Sequence, residues 1–95
     1  MPYIRLSISK PRRGEEARLL ELMRKLTDLA AQQDGCLESY LLRPHDDSGE
    51  LARVAIYKDE AAAETAANNQ SFMALRSEIH LIVEPDHTER AFFSI

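Results

Sequence analysis

Three side chains in this 95-residue chain stand out for the chemistry they could do: Tyr57, His80 and Arg53. A tyrosine joins an apolar ring to a polar tip, which suits it to orient an aromatic ligand. Its ordinary alternative is packing at a strand end. A neutral imidazole such as His80 can take a proton from a phenol near pH 7. It can equally be a half-exposed helical histidine between apolar neighbours. Arg53 stands four residues before Tyr57, so in an unbulged strand the two share a face. A guanidinium there holds an anionic oxygen or carboxylate, or pairs across a hairpin with Glu38. Tyr40 offers a second phenol, and Ile4 and Phe72 offer apolar surface for a ring.

Other chemistry finds less support. Cys36 has no base near it in sequence and reads as a small hydrophobe. His45-Asp46-Asp47 and Asp86-His87 hold potential ligands, but no two histidines have compact metal-ligand spacing, so no metal is expected. Three scattered glycines make no phosphate loop, and no cofactor motif is present. With 12 basic against 16 acidic residues the net charge is −4, which argues against a nucleic-acid partner. No stretch approaches the ~20 apolar residues of a membrane span. One cysteine permits no internal disulfide, so the expected compartment is the reducing cytoplasm.

The elements that must position these groups follow from periodicity. Residues 3–10 alternate, with Ile4, Leu6 and Ile8 on one side and Arg5, Ser7 and Ser9 on the other, which predicts a strand. Residues 15–32 place Leu19, Leu22, Met23, Leu26, Leu29 and Ala30 on one helical stripe. Residues 36–43 and 51–58 predict two strands joined by a polar turn into a hairpin. Asp59 predicts the cap of an alanine-rich helix. Asn68-Asn69-Gln70 interrupts that helix, and Ser71 is the expected cap of the next segment, which carries Phe72, Leu75, Ile79 and Ile82. Pro85 ends the helical region, and residues 88–95 predict a last strand.

The order strand, helix, strand, strand, helix, strand is the split βαβ, or ferredoxin-like, arrangement: an α+β fold with a four-stranded antiparallel sheet in a single domain over residues 1–95. Both helical regions then cover one sheet face and leave the other open. A second copy of the chain is the simplest cover, so a homodimer through the sheet faces is expected.

The ordered local signals carry a resemblance. Lys10-Pro11-Arg12-Arg13-Gly14-Glu15-Glu16 leads into the long helix, Asp34-Gly35-Cys36-Leu37 into the second strand, and Arg43 through Glu50 forms the hairpin turn. Ile56-Tyr57-Lys58-Asp59-Glu60-Ala61 joins the third strand to the alanine-rich helix, and Phe72 follows in a second short helix. Together they resemble the antibiotic biosynthesis monooxygenase family, of dimeric α+β barrel fold, over nearly the whole chain. The resemblance implies a pocket between sheet and helices and a cofactor-independent monooxygenase acting on a small quinol- or phenol-type aromatic. In that reading His80 deprotonates the substrate, Arg53 stabilises the oxyanion, Tyr57 orients the ring, and Tyr40, Phe72 and Ile4 contact it. Where many members have Trp, Glu and His, this chain has Tyr57, Ala55 and about Ala66, and Ile4 stands where the haem-degrading branch has Asn. Haem degradation is therefore not implied. A ligand-binding or structural dimer without catalysis, and a small-molecule isomerase, are the alternative readings.

Overall fold

The computed structural model describes residues 1–95. The elements in chain order are β1 (Tyr3–Ser9), α1 (Glu16–Ala31), β2 (Cys36–Leu42), β3 (Leu51–Tyr57), α2 (Glu60–Ala67), α3 (Gln70–Ile82) and β4 (Thr88–Phe93). The four strands pair antiparallel in the order β2-β3-β1-β4. This is the expected ferredoxin-like α+β fold, with the helices on one face of the sheet.

Each helix has a local cause. The stripe Leu19, Leu22, Met23, Leu26 and Ala30 is the buried face of α1. Asp59 caps α2 as expected, its carboxylate accepting the Ala62 N–H at 2.9 Å. The break before α3 falls where the asparagines stand, but the cap is Asn69 rather than Ser71. The Asn69 side-chain oxygen accepts the Phe72 N–H at 3.1 Å. Asn68 ends one helix and Asn69 begins the next, because the short Asn69 amide reaches the free N–H groups of the first turn.

The strand β1 alternates as its pattern predicts, but the helix-facing side is the polar one. Tyr3 and Ser9 are buried beneath the helices, and Arg5 and Ser7 share their face. Ile4, Leu6 and Ile8 lie on the outer face, only half-buried. Val54 and Ile56 join them there from β3, with exposed Tyr40, Leu42 and Phe92 from the edge strands. The sheet is therefore largely apolar on the side that no helix covers, with Glu38 and Arg90 on its edge strands. In β2 the register shifts between Cys36 and Glu38, a bulge that keeps Ser39 and Leu41 on the helix side.

Two close approaches fix how the helices sit. Gly35 has φ +82°, and a Cβ there would lie 2.7 Å from the Ala62 Cβ. Its carbonyl accepts the Lys58 N–H at 2.8 Å, so the entry to β2, the exit of β3 and α2 meet without room for a side chain. At the opposite end, the segment after β1 pairs with the segment after α3. Pro11 bridges Val83, the Arg12 N–H donates to the Ile82 carbonyl and the Glu84 N–H to the Lys10 carbonyl, both at 2.8 Å.

The buried apolar residues form two clusters. One, under α1 and α3, holds Leu19, Leu22, Met23, Leu26, Ala30, Phe72, Ile79 and Val83. The other, under α2, holds Tyr3, Ala55, Tyr57, Ala62, Ala63 and Ala66.

Candidate active site

Small side chains leave space at the junction of these clusters. On the helix side of the sheet, residues stand in cross-strand rows roughly 6.7 Å apart, two residues along each strand. One row is Arg53–Ser7–Glu89, the next Ala55–Arg5–Ala91, the last Tyr57–Tyr3–Phe93. The middle row has alanine on both sides of Arg5, and α2 presents Ala63 and Ala67 above it. Between sheet and helices lies a cavity of about 340 Å³, within the size range of small-ligand pockets. Met23, Leu26, Phe72 and Ile79 give it apolar walls.

One end is cationic. Arg53 is only 7% exposed, and its Nε and Nη1 have no hydrogen-bond partner. Neither Glu38 nor any other carboxylate pairs with it; Glu38 stands opposite Ile56 at the bulge. The guanidinium carbon lies 5.5 Å from the centre of the Phe72 ring, a cation–π contact that orients the group without satisfying its N–H bonds. Burial pushes its pKa below the usual arginine value, and nearby Tyr57 opposes the shift. Arginine stays charged through such shifts. Arg5 adds a second guanidinium, held 5.4 Å from the Tyr3 ring centre, with its buried Nε also unpartnered. Burial raises the Tyr57 phenol above its ordinary pKa, against the pull of Arg53. Tyr57 is therefore neutral at physiological pH and able to donate.

The other end holds a histidine–carboxylate pair. His80, in the last turn of α3, meets Glu89 of β4, with Nε2 and Oε1 3.2 Å apart. An ionised carboxylate only accepts, so Nε2 carries the proton and Nδ1 is left as the basic nitrogen. Arg76 donates to the second Glu89 oxygen at 3.3 Å. Burial alone would raise the Glu89 pKa, but the His80 hydrogen bond and the charges of Arg76, His80 and His87 outweigh it and hold the carboxyl below its ordinary value. The His87 ring stacks on His80 with centres 5.1 Å apart. Ligand atoms of His80, His87 and Glu89 thus lie within 4.8 Å of one another, a grouping that sequence spacing does not reveal. Since Arg76 and His80 already engage both Glu89 oxygens, the carboxylate is placed to orient the imidazole.

The cavity therefore brings together Tyr57, Arg53, His80 and Phe72. It does not include Tyr40 or Ile4. Tyr40 stands opposite Val54 and is exposed on the outer face, and Ile4 lies there too, because β1 turns its polar side to the helices. Arg5, Arg76 and Glu89 carry no local motif that marks them as site residues. Arg5 and Glu89 had a signal: each shares a strand parity with residues that face the helices in a split βαβ sheet.

The fold is a two-layer α+β sandwich with a polar-ended cavity between its layers. The profile of the family described as antibiotic biosynthesis monooxygenase matches residues 2–77. The chain belongs to that family. Among solved structures it is similar to Rv0793 from Mycobacterium tuberculosis, at TM-score 0.91 and 17% identity, covering 100% of this chain and 96% of that one. A single-residue variant of SnoaB, a cofactor-independent oxygenase from Streptomyces nogalater, matches at TM-score 0.85 and 16% identity, covering 98% and 92%. PA3566 from Pseudomonas aeruginosa matches at 0.85 and 18%, covering 99% and 94%. At these identities the likeness concerns the fold. No curated protein sequence matches the chain. No helix is long and apolar enough to cross a membrane.

Proposed function

We propose that the protein is a cofactor-independent monooxygenase acting on a small quinol- or phenol-type aromatic. The observation that carries this reading is the two-ended cavity, with a carboxylate-held histidine at one end and unpaired guanidinium donors beside the Tyr57 phenol at the other. His80 takes the phenolic proton, and Glu89 steadies the imidazolium that forms. The electron-rich anion spreads its charge through the ring to the far end, where Arg53 stabilises it and Tyr57 orients the ring. Dioxygen attacks the activated carbon. One oxygen atom stays on carbon as a carbonyl and the other leaves as water, so the substrate supplies the electrons. The family membership and the SnoaB likeness support this chemistry.

Oxygen uptake with a panel of quinols and anthrones, without added metal or flavin, tests the reading. Turnover is expected with at least one. If Tyr57→Phe and His80→Ala both leave the rate unchanged, the assigned roles are wrong.

The functional unit in this reading is a homodimer joined through the outer sheet faces, where Ile4, Leu6, Tyr40 and Phe92 gain an apolar cover. Light scattering that shows only a monomer at micromolar concentration would exclude it. The single thiol fits a reducing, cytoplasmic setting.

A further inference from the structure

The charge lining the cavity is out of balance before any proton moves. Arg76 is matched by Glu89, the single carboxylate of the lining. Arg90 belongs to the outer face of the sheet, where its guanidinium lies 4.7 Å over the Phe92 ring, so its charge stands outside the cavity. Arg5 and Arg53 have no anionic partner, and three of their buried nitrogens donate to nothing. A charge held in that state costs free energy unless a ligand completes it. A phenolate formed during reaction would complete one guanidinium for the lifetime of an intermediate. It leaves the second unmatched, and both unmatched in the resting complex.

We propose that the ligand of this cavity is an aromatic acid, a ring bearing a permanent carboxylate that seats between Arg5 and Arg53 while its hydroxyl reaches toward His80. This rests on the proposed function for the role of the hydroxyl, not for the carboxylate. The rows set the geometry. Arg5 stands one row beyond Glu89, on the side of Tyr3 and Tyr57, and its guanidinium lies over the Tyr3 ring. The row spacing of roughly 6.7 Å suits a single ring with its two polar substituents on opposite sides. Two planar guanidinium forks match the four lone pairs of a planar carboxylate, and the neutral Tyr57 hydroxyl adds a donor that does not compete for the charge. Met23, Leu26, Phe72 and Ile79 give the space an apolar wall against which the ring of the ligand packs.

Calorimetric titration of the whole protein tests this with 4-hydroxybenzoate and 6-hydroxy-2-naphthoate, their methyl esters, phenyl phosphate and inorganic phosphate. At least one acid is expected to bind ten times or more tighter than its ester. Arg5→Gln should lower that preference several-fold, the acid losing more affinity than the ester, and His80→Ala should leave the acid-to-ester ratio standing while weakening both. Circular dichroism establishes that the variants fold, and Arg5→Lys should restore part of the preference by returning the charge. The inference is overturned if neither acid binds, if acid and ester bind alike, if Arg5→Gln leaves the preference intact, or if phenyl phosphate binds tighter than both acids. Oxygen uptake separates the two ideas. Acid binding with no turnover of any substrate drops the oxygenase and keeps the aromatic acid. Turnover of neutral quinols with no preference for acids does the reverse.

Discussion

The two buried clusters are built from the same sheet and helices yet do opposite things. Under α1 and α3, leucine, methionine and isoleucine interdigitate and fill the space. Under α2, Ala63, Tyr3 and Tyr57 border an open space instead. The void opens where the second cluster begins, and charged groups occupy its edges. The length of the side chains, not the path of the backbone, separates a core from a binding site here. A packed interior tolerates no gap without loss of contacts. The alanine half accepts that loss, which is the usual mark of a site that gains its missing contacts from a ligand.

The contrast can be broken from either side. The largest effect is expected at the open half: His80→Ala should lower turnover about 100- to 10,000-fold, the usual worth of a positioned general base, with the melting temperature nearly unchanged. Leu22→Ala in the filled half should do the reverse. It should cost about 2–5 kcal/mol in denaturant unfolding and leave the turnover of folded protein intact. If Leu22→Ala proves neutral, the filled half is not filled.

Gly35→Ala probes the seam between α2 and the strands. The strained φ and the 2.7 Å approach to Ala62 should together cost about 1–3 kcal/mol, measured by the same unfolding curves. Ala63→Leu sharpens the comparison most directly. The cavity should take the added volume for less than about 1.5 kcal/mol, half or less of what overpacking costs in a tight core, while ligand binding is lost. A large destabilisation would mean the space is needed empty for folding.

The smallest effect is at Glu89. Its pKa is lowered from the ordinary 4.5, so the stability it contributes is present above that value and is lost as pH falls through the lower, folded one. Wild type and Glu89→Gln should therefore differ in denaturation midpoint at neutral pH and converge in acid below pH 4.5. Parallel curves across that range would remove Glu89 from the ionised pair.

How much of this the sequence disclosed differs by element. The helix stripe of α1 and the Asp59 cap are local signals, and they read true because short-range spacing decides them. The alternation of β1 is also local, but the side that meets the helices is not. Apolar residues ordinarily turn inward, and here Ile4, Leu6 and Ile8 turn outward because the inner face must carry Arg5 and Ser7 along a cavity. Both faces of the sheet need cover, and one of them is covered by no helix of this chain. Tyr57 and Arg53 share a face by simple parity. The partner of His80 was invisible because Glu89 lies nine residues on, beyond the reversal at Pro85, and only the placing of β4 beside β1 brings it back.

The pairing of the Pro11 segment with the Val83 segment has a consequence for the mouth of the cavity. Those contacts are made by main-chain atoms, which every residue but proline supplies in full. They hold the last turn of α3 against the exit of β1 whatever side chains the two segments carry. The frame is thus backbone, and His80, Arg76 and Glu89, which line that end of the cavity, are mounted on it. Their side chains can be exchanged without moving the frame, so the chemistry of that end can change while its outline does not.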